Sequence, residues 1–370
     1  MTQKFDRQLD RRMFLRRSAY GAAGVALVGA AGPTLLAACS STSTTTTSPG
    51  GTTASGAKDL GTLDYQLSWI KNVEFAGQYL ADQNGYYKDV GFSGVNFLAG
   101  GPNVQQDAVV NSGKALIGIS APDITGAAIK QGAGIIAIAA LFQKNPFCVM
   151  SLASNPIKTP EDMIGKKVGV QSVNEPVWNA FLKANGIDPS KIEKVPAQFD
   201  PQPLVNKEVD GWFSFVTNEP NLLKVKGIDT VNFLLNDHKY PLVSQIYVVK
   251  KDSLQSKRDQ LKAILEADIR GWHDSLKDPE AGAKLAVENY GKDLGLDVPE
   301  QTLESKAQNE LIVTSDTKAN GIMTITDEIE AETIATLKLA GVDIDAKTLF
   351  DLSIIEEVYK ENPDLKAIPS

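Results

Sequence analysis

The chain has 370 residues, 42% of them hydrophobic and 22% charged, with a net charge of −8. That acidity argues against nucleic acid, which needs a basic patch. The only histidines are His238 and His273, and the only cysteines Cys39 and Cys148. No set has metal-ligand spacing, so neither metal nor cofactor is expected.

In chain order, the first 39 residues are not expected to belong to the fold. Arg11 and Arg12 precede Phe14 and Leu15, a Gly- and Ala-rich apolar run follows, and it ends in Leu36-Ala37-Ala38-Cys39. A basic start, an apolar core and small residues before a cut form the export-signal pattern. The arginine pair resembles a twin-arginine signal. Leu-Ala-Ala-Cys resembles a lipobox, which implies removal of residues 1–38 and acylation of Cys39. Residues 1–38 carry six basic and two acidic side chains, so their loss takes the net charge from −8 to −12. A membrane anchor is the competing reading, but the run is short for the ~20 residues of a span. Residues 39–60 are mostly Ser, Thr, Gly and Ala and are expected to form a flexible tether. With Cys39 in the lipobox, Cys148 has no partner and reads as a buried strand thiol.

From Leu63 onward strands and helices alternate. "LDYQLSW" reads as a strand, and Val73, Ala76, Gly77, Leu80 and Ala81 then fall on one helical face, with Asn72 as N-cap and Glu74 at the positive helix end. Further strands are "VNFLAGG", "ALIGIS", "GIIAIAALF", "PFCVMSLAS", "KKVGVQS", "GWFSFV" and "SQIYVVKK". Their continuous apolar runs suit parallel strands covered on both faces. Thr159 and Pro160 open a helix, and Ser172 with Glu175 forms a capping box for another. After Asp252 the pattern is almost wholly helical. This predicts an α/β fold of two lobes with two hinge crossings: residues 61–150 and 245–370 in lobe 1, residues 151–244 in lobe 2, and C-terminal helices.

Ligands of such folds bind outside the carboxyl ends of the strands. The residues there are Trp69 and Asn72, Gly100 and Gly101, Ser120, Gln143, Ser172 and Asn174, then Thr217, Asn218 and Glu219, with Tyr240 before the return strand. Each has a plain structural alternative: Trp69 as core, Asn72 and Ser172 as caps, Tyr240 as hinge packing. Glu219 is the hardest to dismiss, because a carboxylate there caps little. Walker, Gly-x-Ser-x-Gly and Gly-x-Gly-x-x-Gly motifs are absent, so no enzyme activity is expected.

"WIKNVEFAGQYLADQNGYYKDVGF", with "VNSGKALIGIS", "IKTPEDMIGKKVGVQS", "KEVDGWFSFVTNEP" and "QIYVVKKDSL", resembles a family of ABC-importer binding proteins. That family takes nitrate, sulfonates, taurine, thiamine pyrimidine precursors or riboflavin-like compounds. The resemblance implies a type II periplasmic-binding-protein fold, a lipid anchor on the outer face of the membrane and an ABC permease as partner. In the pyrimidine binders aromatic rings sandwich the ligand and an acid contacts it; Trp69 and Glu219 fall at those places. This favours a flat nitrogen heterocycle over an oxyanion. The same fold includes a pyrimidine synthase with a cysteine-rich motif and an active-site histidine, both missing here.

Overall fold

The computed structural model describes residues 59–369. The leader, Cys39 and the tether up to residue 58 lie outside the described residues.

Two five-stranded mixed sheets form the core. The first has the order β2-β1-β3-β10-β4, built from β1 (Gly61–Gln66), β2 (Phe92–Leu98), β3 (Ile117–Ser120), β4 (Ile135–Phe142) and β10 (Ser244–Lys250). The second has the order β7-β6-β8-β5-β9, built from β5 (Phe147–Leu152), β6 (Lys167–Gln171), β7 (Glu193–Ala197), β8 (Gly211–Phe215) and β9 (Thr230–Leu234). In the first sheet β1 runs parallel to β2 and β3, and β10 is antiparallel to both its neighbours. The second repeats the scheme, with β6 parallel to β7 and β8, and β5 antiparallel to β8 and β9. Each lobe thus takes its one antiparallel strand from the chain as it arrives from the other lobe.

That exchange corrects one expected boundary. The expected boundary at 150 cuts through β5, but the whole strand pairs with β8 and β9 of the second sheet. The first crossing therefore runs through residues 143–146 rather than at 150. The reason is burial: Phe147 to Ser151 of β5 are all buried, and a strand so apolar cannot lie in a connector. β7 and β9 were not foreseen, since "EKVPA" and "TVNFL" are short and half-exposed edge strands.

Local signals fared unevenly. The first helix begins as a tight turn over Val73–Phe75 and continues as Ala76–Gln83, without a side-chain cap from Asn72. Ser172 and Glu175 form no capping box. Ser172 is exposed, and Glu175 Oε1 instead accepts from Lys194 Nζ at 2.6 Å. Thr159 and Pro160 open only a single turn, Glu161–Met163. "AKTLFDLSIIEEVY" is two helices, Ala346–Leu349 and Ser353–Glu361, because Phe350 is extended.

The helix Arg258–Lys277 lies against Ala76–Gln83 at unusually short range. A Cβ on Gly271 would sit 2.0 Å from the Gly77 carbonyl oxygen, and one on Gly77 2.4 Å from the Trp272 ring. Only glycine permits that backbone approach. Beneath the crossing, Asp268 accepts from Tyr65 Oη at 2.8 Å and from Tyr87 Oη, and Gln78 Nε2 donates to Tyr247 Oη at 3.0 Å. Burial pushes the Asp268 carboxyl up to about 7, against the pull of those hydrogen bonds. Among the described residues no helix is long and apolar enough to cross a membrane. Cys148 is fully buried and free, its thiol pushed up to about 12 by burial.

Candidate functional site

A cavity of about 40 Å³ lies between the lobes at the carboxyl ends of their strands. A water needs roughly 10–15 Å³ of such space, so the cavity has room for a few waters. The lobes meet beside it, where the Val173 N–H donates to the Pro102 carbonyl at 3.0 Å.

The walls are aromatic and polar in distinct places. Trp69 follows β1, Phe147 opens β5 and Phe215 closes β8. Phe147 stacks on Phe213 at 5.0 Å and meets Phe215 edge-on at 4.5 Å, so its ring plane is fixed before any ligand arrives. Two carboxylates line the cavity: Glu74 from lobe 1 and Glu219 from lobe 2, each 4% exposed. Among its lining residues there is no lysine, arginine or histidine.

Glu219 opens the helix Glu219–Val225, and its Oε2 accepts from the Phe215 N–H at 3.1 Å. Burial pushes its carboxyl up to about 8, with backbone hydrogen bonds opposing and the charges of Glu74 and Glu300 adding to the rise. Glu74 accepts from Ser68 Oγ at 3.1 Å and from Gln245 Nε2. Burial pushes it up to about 7 against those two bonds. Gln245 pays a conformational cost for its position, with φ at 51° in the left-handed region.

Behind this wall runs the helix Val298–Ile312. Its Glu304 accepts from Asn72 Nδ2 at 2.9 Å, and Gln301 donates to both Glu300 and Glu304. Gln301 Oε1 also accepts from the Val73 N–H at 2.6 Å. Glu304 is held well above the usual carboxylate range by burial, with Glu300, Glu74 and Glu219 adding to it. Trp69 and Asn218 separate the inner cavity from an outer hollow of about 380 Å³ that reaches Asn72, Glu300, Lys226 and the exposed Phe199.

Of the residues expected from sequence, the cavity gathers Trp69, Ser120, Asn174, Asn218 and Glu219. The rest are not among its walls. Asn72 is spent on Glu304. Gly100 lets the exit of β2 lie flat on Ser68, where a Cβ would come within 2.4 Å of backbone carbon, and its N–H donates to the Trp69 carbonyl at 2.8 Å. Gly101, at φ 147°, turns the chain toward Pro102 and the contact between lobes. Gln143 folds back on the Ala140 and Thr324 carbonyls at 3.2 and 3.0 Å. Ser172 points to solvent, and Thr217 is buried beside Asn221. Tyr240 is wholly buried and donates to Asp123 Oδ2 at 2.7 Å, so it packs the hinge.

Glu74, Gln106, Phe147, Ser214, Phe215 and Gln245 line the cavity and were not singled out. Glu74 was read only as a helix-end acid. Its sequence signal, an acid one turn after a strand-end Trp, was visible but has the same form as ordinary dipole pairing.

The NMT1/THI5-like family signature matches residues 72–282, more than half of the chain and most of both lobes. The chain belongs to this family. A formylaminopyrimidine-binding protein of Halalkalibacterium halodurans is 23% identical over 243 residues, covering 64% of this chain and 73% of that one. The riboflavin-binding protein RibY of Chloroflexus aurantiacus is 25% identical over 228 residues, covering 60% of this chain and 64% of that one, somewhat under two thirds of its length. Among solved structures, the periplasmic nitrate-binding protein NrtA of Synechocystis PCC 6803 superposes with a TM-score of 0.58 at 13% identity, over 84% of this chain and 91% of that one. That likeness is one of fold: the chain has the two-lobe periplasmic-binding-protein architecture, with its C-terminal helices added.

Proposed function

We propose that the protein is the extracytoplasmic solute-binding component of an ABC importer and that it carries a flat nitrogen heterocycle of the aminopyrimidine kind. The observation that carries this reading is the cavity itself, with rings above and beside it, two carboxylates and no basic side chain. A carboxylate accepts the N–H groups of an aminopyrimidine and repels nitrate or a sulfonate. The pyrimidine-binding relative supports the same ligand class. Trp69 and the Phe147 and Phe215 rings would hold the ring faces, and Glu219 with Asn218 and Asn174 its edges. The ligand is buried by closure of the lobes about the two crossings. No covalent step is needed, and the reading is of a carrier rather than an enzyme. A lipid on Cys39 would hold it beside its permease, since each buried CH₂ contributes ~0.8 kcal/mol.

A riboflavin-like ligand is the second reading, favoured by the stacking rings and the riboflavin-binding relative. Thermal-shift measurements of residues 39–370 against nitrate, taurine, 4-amino-5-hydroxymethyl-2-methylpyrimidine and riboflavin separate these. Stabilisation by the pyrimidine alone is expected. Stabilisation by taurine or nitrate alone would overturn the heterocycle reading, and a yellow purified protein would shift it to the flavin.

A further inference from the structure

Resting on that reading, we propose that the cavity is built for a positively charged flat ligand, an amidinium or ring-protonated aminopyrimidine, and that Glu74 is the specificity-determining residue on the lobe 1 side.

The hydrogen-bond inventory of the cavity wall is one-sided. Gln245 Nε2 donates to Glu74, Asn174 Nδ2 to Gln171 Oε1 at 3.0 Å, and Gln106 Nε2 to Ser120 Oγ at 3.4 Å. Three of the four side-chain amides lining the cavity thus turn an N–H toward the protein. Each amide keeps a second N–H, so the asymmetry of the wall lies in its acceptors. Gln106 is 2% exposed, and its Oε1 is buried with no partner. Both bonds to Glu74 land on Oε1, and Oε2 has no partner among the described residues. Glu219 stands on the opposite lobe with only backbone donors. A buried acceptor without a donor costs about 1–3 kcal/mol, more if charged. Of the three only Gln106 Oε1 is both buried and without a partner, and an occupant that also reaches the open Glu74 oxygen and Glu219 would bring N–H groups on more than one edge.

It must also bring charge. Glu74 and Glu219 face a cavity without a cation, and Glu300 and Glu304 stand behind it. Lys226 lowers Glu300 and lines the outer hollow, not the cavity. A ligand cation would let the two lining carboxyls ionise; a neutral ligand would have to share the space with a proton on them. An anion would face both carboxyls with no cation to offset them. Gln245, in its left-handed conformation, fixes Glu74 through one of its amide N–H groups.

The test uses benzamidine, benzamide and benzoate, which share one flat ring and differ in charge and donors. Calorimetry near pH 7 should give benzamidine an affinity about tenfold or more above benzamide, and no binding of benzoate. Benzamidine binding should release protons, seen as a dependence of the apparent enthalpy on buffer. Glu74→Gln should abolish most of that preference and reduce the proton release, while benzamide affinity stays within a few-fold. Equal loss for both probes would mean that Glu74 only supports the wall, and an unchanged preference would remove its role; either overturns the inference. Should the aminopyrimidine bind the wild type while Glu74→Gln leaves selectivity intact, only this inference falls. Should neither the aminopyrimidine nor any benzene probe bind, the heterocycle reading falls with it.

Discussion

Glu219 gives the sharpest stability prediction. Its carboxyl, ordinarily at 4.5, is pushed up to about 8 in the folded chain, chiefly by burial. Between those values the folded state holds a proton that the unfolded state has released. Stability therefore falls as pH rises across that window, by ~1.4 kcal/mol per unit. The full effect of this one group is on the order of 4 kcal/mol, complete above the folded value and absent below about pH 4. Glu219→Gln keeps the shape and cannot ionise. Near pH 5 the variant and wild type should melt together. Near pH 8 the variant should be the more stable, by roughly 10 °C at about 2–4 °C per kcal/mol. The assay is thermal unfolding of the ligand-free protein at closely spaced pH values, read as the difference between the two proteins so that other titrations cancel. Parallel profiles would show that Glu219 is solvated or otherwise compensated, and the burial argument would be wrong.

Other expectations follow from single contacts. Trp69→Ala should weaken the pyrimidine by an order of magnitude or more, from lost stacking of ~0.5–1.5 kcal/mol plus lost burial; unchanged affinity by calorimetry would take Trp69 out of the site. Gly100→Ala must displace the Ser68 backbone, 2.4 Å from the new methyl, so ligand affinity should drop although the residue is not among the lining side chains. Tyr240→Phe strands the buried Asp123 carboxyl and should cost about 1–3 kcal/mol of stability while leaving affinity within a few-fold; a large affinity loss would restore Tyr240 to the ligand. Gly271→Ala drives a methyl into the Gly77 carbonyl and should destabilise by several kcal/mol, measurable by denaturant titration.

Eight of the ten strands among the described residues were legible because apolar runs such as "GIIAIAALF" and "SQIYVVKK" have nothing to do in water. β7 and β9 escaped because edge strands bury too little to mark themselves. The lining of the candidate cavity was half legible. Trp69 and Glu219 stood out as side chains with no local task. Glu74 and Gln106 were hidden because they sit in the first turns of helices, where an acid or a glutamine looks routine. Gln245 could not be found at all: its role depends on a positive φ and on a partner 171 residues away. Tyr240, Gly100 and Gln143 were nominated for lying at strand exits, and all three turned out to serve the frame that holds those exits. Proximity to a strand end selects both kinds of residue, and only burial and partners tell them apart.

The helix Val298–Ile312 belongs to neither sheet, yet it touches the turn after Trp69 through Gln301 and Glu304 and packs on the helix Glu219–Val225 of the other lobe. The two crossings are thus not the only joints. The ring-bearing loop of one lobe and the carboxylate-bearing helix of the other bear on a single rod. Were the lobes to part, Glu219–Val225 would have to leave that rod, and Glu219 is the first residue of that segment. On the proposed reading such an opening would be geared to the site: the displacement that widened the mouth would also withdraw the acid, so grip and access would change together.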